Sequence, residues 1–224
     1  MTLQALFLNC SLKSSPRPSN TQAMIDKVAG ILEGLQVETK TVRVADESIA
    51  FGSGMDEGHG DGFPSLLKEI RGTDILVVAA PVWMGEMSSV AKMLHERLDA
   101  TTYDLDSRNQ REMYGKVGGA IAVGEGDGGQ NVVRAILYNL SIAGFTIPPN
   151  ADCFWTNEAG PGGPYLEADG DTSYYVNERA RYMAHNLAYF AQLLKEHPIP
   201  TDLKALQKEA KVAGPRKKPE PSRD

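Results

Sequence analysis

Residues 74–80 read DILVVAA, an apolar run of strand length with β-branched residues at its centre. The run is too short for a buried helix and lacks the apolar–polar alternation of a half-exposed strand. It therefore reads as a central parallel strand covered on both faces. Related runs recur along the chain: Leu3–Leu8 (LQALFL), Lys116–Val123 (KVGGAIAV), and Phe145–Ile147 with Ala151–Trp155 on either side of a Pro-Pro bend. Val37–Val44 (VETKTVRV) alternates and suits a strand near an edge.

Helical spacing fills the intervals. Met24, Ile25, Val28, Leu32 and Leu35 recur at three and four, as do Val90, Met93, Leu94 and Leu98. Val133, Ile136, Leu137 and Leu140 mark a further helix, and Met183, Leu187, Phe190 and Leu194 a last one. Pro64 opens a short helix, SLLKEIRG, in a favoured early position. The order β-α-β-α-β-α-β-α-β-α predicts an α/β fold: a doubly wound, five-stranded parallel sheet with helices on both faces. The domain is expected to span 1–197. A polar extension, 198–224, ends in GPRKKPEPSRD, which has the composition of a partly disordered tail.

Three loops stand out, and each follows a strand read as buried. They are NCSLKSSPRPSNT (9–21), PVWMGEMSS (81–89) and GEGDGGQ (124–130). With strand order 2-1-3-4-5, strands one, three and four sit together in the middle, so these loops converge at the carboxyl edge, where doubly wound folds bind ligands. In the first loop, Ser19-Asn20-Thr21 falls at a helix start, among free backbone N–H groups, with Ser11, Lys13 and Arg17 nearby; that pattern makes an anion seat. The plain alternative is an N-cap after a Pro-rich turn. In the second loop, Trp83 and Met84 are large and apolar where water is expected, and Gly85 lets a backbone approach a flat ligand. Four glycines in seven residues make the third loop. Together they suit a planar ring carrying a phosphate. GxxxxGK[ST] is not present, and the loop after strand one lacks GxGxxG. Glu125 and Asp127 have no His or Cys near them in sequence, so no metal site is expected.

The net charge of −6 leaves no basic surplus for nucleic acid. No window reaches about 18 consecutive apolar residues, so no membrane span is expected. The N-terminus lacks the pattern of a signal peptide. The two cysteines, Cys10 and Cys153, form no metal or disulfide framework, and a reducing, cytoplasmic setting is expected.

In order and context the three loops resemble those of the flavodoxin-like NADPH-dependent FMN reductases and iron–sulfur flavoproteins, over roughly residues 3 to 195. The family patterns GSPR…GNT, PVYxGxxS and a glycine-rich loop ending GGQ correspond here to CSLKSSPRPSNT, PVWMGEMSS and GEGDGGQ. The resemblance implies a flavodoxin-like sheet and FMN as cofactor. Ser11, Lys13, Ser19, Asn20 and Thr21 would hold the phosphate. Pro81, Val82, Trp83, Met84 and Gly85 would flank the isoalloxazine, and Gly124, Gly126, Asp127, Gly128 and Gly129 would lie along its other edge. The chain departs from the iron–sulfur branch: SIAFGSGMDEGHGDGF, before the third strand, has no cysteine. A [4Fe–4S] cluster needs four thiolates, so none is expected. His59 in that loop reads as a solvated residue.

The resemblance further implies an NAD(P)H-dependent oxidoreductase. It would pass hydride from NAD(P)H through flavin N5 to a small acceptor, such as a quinone, a flavin, an azo compound or a nitro compound. No acid–base side chain is compelled, and N–H groups near Gly85 and Gly128 would stabilise an anionic reduced ring. Tyr103, Tyr114, Trp155 and Tyr165 are candidates for the acceptor side. The alternative from another class is a flavodoxin-type electron carrier that binds FMN without NAD(P)H reductase activity. A homodimer or homotetramer is implied, with 100–112 and 157–171 as expected contact loops.

Overall fold

The structure, a computed structural model, describes residues 2–157 and 163–214. Five parallel strands form its sheet: β1 (Leu3–Asn9), β2 (Val37–Arg43), β3 (Ile75–Trp83), β5 (Val117–Val123) and β6 (Asp152–Trp155), in the order β2-β1-β3-β5-β6. A two-residue strand, β4 (Glu86–Met87), pairs antiparallel with the end of β3. With β4 set aside, the order is the expected 2-1-3-4-5. The sixth strand arises because β3 runs past Ala80 to Trp83 and folds back on itself.

Alternation in the strands divides the core into two layers. Leu3, Ala5 and Phe7 of β1, with Ile75, Val77 and Ala79 of β3, meet α1 (Asn20–Gly34) and α5 (Tyr174–Glu196). Leu6, Leu8, Leu76, Val78 and Ala80 face α2 (Phe63–Arg71), α3 (Ser89–Asp99) and α4 (Gly129–Ala143). Both faces are covered, which is why β3 is apolar at consecutive positions.

Two segments differ from expectation. Phe145–Ile147 is not part of the fifth strand: Thr146 makes one isolated bridge to Val117, and regular pairing begins at Asp152. Pro148 and Pro149 follow directly and have no N–H for a ladder. The C-terminal stretch contains a helix, α6 (Leu203–Ala213), capped by Asp202, whose side chain accepts from the N–H of Ala205. The segment leading into it is tied to the 104–112 loop by Gln110, whose Nε2 donates to the carbonyls of Ile199 (3.0 Å) and Thr201 (2.8 Å), and the helix itself by Asn109, whose Nδ2 donates to Gln207 Oε1 at 3.1 Å. The tail from 215 onward lies outside the described residues.

The loop between β2 and α2 is held by a buried ion pair. Arg97 Nη2 lies 2.6 Å from Asp61 Oδ2, and the two side chains are 0% and 1% exposed. Arg97 also donates to the carbonyls of Ala50 and Gly54, while Asp61 accepts from the N–H groups of Ala50, Glu57 and Phe63. The Arg97 hydrogen bond, outweighing burial, holds the Asp61 carboxyl well below the usual range.

Candidate functional site

The loops after β1, β3 and β5 meet at the carboxyl edge of the sheet. They enclose a cleft of about 710 Å³ lined by Ser11, Leu12, Lys13, Ser19, Asn20, Thr21, Pro81, Val82, Trp83, Met84, Gly85, Val123, Gly124, Glu125 and Asp127. That volume falls within the roughly 300–1,000 Å³ of sites for small organic ligands.

One end of the cleft is built from hydrogen-bond donors. Asn9, the polar last residue of β1, is fully buried; its Nδ2 donates to Gln22 Oε1 (2.8 Å), and its Oδ1 accepts from the N–H of Ser11 (3.0 Å). This joins the strand end to the first turn of α1. Ser19 caps that helix, its Oγ accepting from the N–H of Gln22 at 3.1 Å. The N–H groups of Asn20 and Thr21 have no acceptor among the described residues. They sit at the positive end of α1, beside Lys13, as a seat for a phosphate or carboxylate requires. The outer wall is fixed by Asp46, which accepts from the N–H (2.8 Å) and Oγ (2.6 Å) of Ser15. Those bonds, the Oγ–H first, lower the Asp46 pKa.

The other end is apolar. Trp83 and Glu86 pair across a two-residue turn in which Met84 (φ 52°) and Gly85 (φ 77°) are both left-handed. Positive φ at both central residues is the geometry that matches strand twist in a tight hairpin. The turn leaves Trp83 55% and Met84 100% exposed, with Leu12 also exposed across the cleft. Large apolar side chains held in water at a cleft mouth mark a binding surface. The tip is tied to α4 by Asn131, whose Nδ2 donates to the Gly85 carbonyl at 3.0 Å and to Glu86 Oε1 at 2.8 Å.

The glycine-rich loop is divided between the cleft and the packing behind it. Gly124 and Asp127 line the cleft, but Gly126, Gly128 and Gly129 do not. Gly128 is the left-handed cap of α4 (φ 81°), where a Cβ would lie 2.7 Å from Gly85 Cα. A Cβ on Gly129 would lie 2.7 Å from Thr156 Cγ2. Gly128 lets the hairpin backbone come close, and Gly129 leaves room for the Thr156 and Phe154 side chains. Likewise Gly85 is needed for the hairpin turn, as its φ shows.

None of Tyr103, Tyr114, Trp155 and Tyr165 lines the cleft. Tyr103 is 80% exposed on a 3-10 turn, and Trp155 and Tyr165 are buried, stacked edge to face at 5.8 Å. His59 is exposed. Sequence reasoning passed over Leu12 and Val123, inside or beside the quoted loops, weighed Glu125 only as a metal ligand, and missed Asn9 and Asn131, which act behind them. Asn9 carried a signal: a polar residue ending an apolar strand. Asn131 carried none. Among the described residues, no group of three His, Cys, Asp or Glu side chains is placed to hold a metal ion, and no helix is long and apolar enough to cross a membrane.

A doubly wound sheet of this order, with free helix N–H groups and an apolar hairpin at its switch point, is a flavodoxin-like fold. The chain belongs to the NADPH-dependent FMN reductase family, whose model matches residues 4–159. It is 36% identical over 220 residues to an 8-demethyl-8-aminoriboflavin-5′-phosphate synthase of Streptomyces davaonensis, covering 94% of this chain and 86% of that protein. A solved structure of RosB with a bound intermediate, 8-demethyl-8-formylriboflavin-5′-phosphate, superposes with a TM-score of 0.88 at 32% identity, covering 100% of this chain and 98% of that one. A divalent metal cation transporter of Mycobacterium bovis is 38% identical over 199 residues, and there the chain spans 29% of the relative's length. The protein is thus an FMN-dependent oxidoreductase by family.

Proposed function

We propose that the cleft seats riboflavin 5′-phosphate with its phosphate at the α1 end and its ring against the hairpin. The observation that carries this reading is the pairing, in one cleft, of the free Asn20 and Thr21 N–H groups with the exposed Trp83–Met84 wall. Ser11, Lys13, Ser19, Asn20 and Thr21 hold the phosphate. Pro81, Val82, Trp83, Met84 and Gly85 hold one edge of the ring, with Gly124 and Asp127 near the other. Gly126, Gly128 and Gly129 shape the loop from behind. Bound FMN supplies a group that accepts and releases hydride. The chain supplies binding, orientation and a wall against water.

The reductant in this reading is NAD(P)H, and the oxidant a small molecule such as a quinone, flavin, azo or nitro compound. The protein works as a homodimer or homotetramer: Tyr103 and Leu105 leave apolar surface exposed in the 100–112 loop. The other expected contact, 157–171, lies partly outside the described residues. A cytoplasmic setting agrees with two free, buried cysteines.

The likeness to the Streptomyces synthase favours a second reading, in which an FMN-type molecule is the substrate itself and is altered at ring position 8. One experiment separates the two. The purified protein is incubated with FMN, with and without NADPH and a quinone, while NADPH absorbance is followed and the flavin is analysed by mass. NADPH oxidation with intact FMN favours the reductase. A mass change in FMN favours the flavin-modifying enzyme. Unaltered FMN with no oxidation of NADPH or NADH removes both readings once the incubation is repeated with NADH and, in air, with an amino-group donor.

A further inference from the structure

Asn131 lies in the first turn of α4, beneath the hairpin tip, and lines no part of the cleft. Its amide makes three bonds that together settle which way it faces. Nδ2 donates to the Gly85 carbonyl (3.0 Å) and to Glu86 Oε1 (2.8 Å), and Oδ1 accepts from Arg134 Nη2 (2.8 Å). Turned over, the amide would set its oxygen against a carbonyl and a carboxylate, and its NH2 against a guanidinium.

The hairpin needs such an outside hold. β4 has two residues, and its ladder to β3 has two pairs, Val82 with Met87 and Trp83 with Glu86. The turn places Met84, a side chain that disfavours left-handed backbone, at φ 52°. On the side facing β1, Ser88 anchors the segment by donating its Oγ–H to the Cys10 carbonyl at 2.7 Å. On the side facing α4, among the described residues, Asn131 supplies the side-chain bonds that reach Gly85 and Glu86.

We propose that Asn131, oriented by Arg134, is a positioning residue that fixes the hairpin wall of the cleft, and through it the seating of the flavin ring; this rests on the FMN reading above. Asn131 is not among the residues that line the cleft. It acts by holding the Gly85–Glu86 backbone, and so the direction in which Trp83 and Met84 stand.

The test uses Asn131→Leu, which keeps size and removes both donors, Asn131→Asp, which turns an acceptor toward Gly85 and Glu86, and Arg134→Met. The first readout is acrylamide quenching of tryptophan fluorescence in the protein without flavin. The chain has two tryptophans, and Trp155 is buried, so the quenchable component reports Trp83. The second is circular dichroism of the visible flavin bands with FMN added, and the third is affinity for FMN and for riboflavin. Both Asn131 variants should make Trp83 more quenchable and reshape the flavin bands. They should weaken FMN and riboflavin in the same ratio, by about tenfold, the scale of one lost hydrogen bond. Arg134→Met should shift all three the same way by less. Unchanged quenching and unchanged flavin bands in folded variants overturn the proposal. If both Asn131 variants fail to fold, Arg134→Met, at an exposed position, decides it alone. Wild-type protein that binds neither FMN nor riboflavin sinks the FMN reading instead, while the flavin-free quenching still judges the hold on the hairpin.

Discussion

A Cβ built on Gly128 would lie 2.7 Å from Gly85 Cα and 2.9 Å from Val82 Cγ1. The glycine-rich loop and the hairpin therefore touch backbone to backbone, and the width of the cleft depends on that contact. Gly128→Ala adds a methyl where none fits, at φ 81°. We expect a loss of about 2–4 kcal/mol, combining overpacking with left-handed strain. Gly126→Ala is the control: its φ is 122°, but nothing lies within 4 Å of its Cβ position. It should cost about 1–2 kcal/mol, from strain alone. Thermal or urea unfolding of both variants checks the difference.

The α1 end of the cleft should recognise phosphate rather than ring. Lys13→Ala is expected to weaken FMN by about tenfold, the scale of one charge-assisted hydrogen bond. Riboflavin, which lacks the phosphate, should bind as before. Flavin fluorescence titrations with both ligands measure this, and equal weakening of the two would place the phosphate elsewhere.

Arg97 and Asp61 are both shut off from solvent, 2.6 Å apart. Removing either partner leaves a buried charge without its counter-ion. Arg97→Met should therefore destabilise the fold by about 3–5 kcal/mol. The replacement keeps much of the packing over Phe63, whose ring centre lies 4.5 Å from the guanidinium carbon. Equilibrium denaturation reads the cost, and limited proteolysis should show first cleavage within 47–62, the loop the pair holds.

His95 gives stability a pH dependence. Burial, with Lys92 adding to it, pushes its pKa down to about 4. An unfolded histidine titrates near about 6.5, so the unfolded chain takes up this proton first. The contribution is thus fully present above about 6.5 and lost as pH falls toward 4, to a total of about 3 kcal/mol. His95→Gln should flatten the melting curve's dependence on pH across that window. An unchanged profile would mean that the imidazole is hydrated in solution.

The five parallel strands, their order and the edge that carries the site were legible in the chain alone. Period and burial are local properties: a run such as DILVVAA states by itself that both its faces are covered, and alternation with helices leaves few topologies. The start of α1 was legible for the same reason, since Ser19 caps the helix through neighbours in sequence. What tertiary structure decided is every feature made by residues far apart in the chain. Arg97 finding Asp61, Gln110 holding the chain at Ile199 and Thr201, and Gly128 closing on Gly85 have no local signature. Spacing along one segment carries no information about which other segment its side chains will meet. The glycines of 124–130 show the consequence. Composition suggested a loop open to a ligand, but packing sets Gly128 against the Gly85 backbone and Gly129 against the Thr156 and Phe154 side chains, and leaves Gly124 and Asp127 to line the cleft.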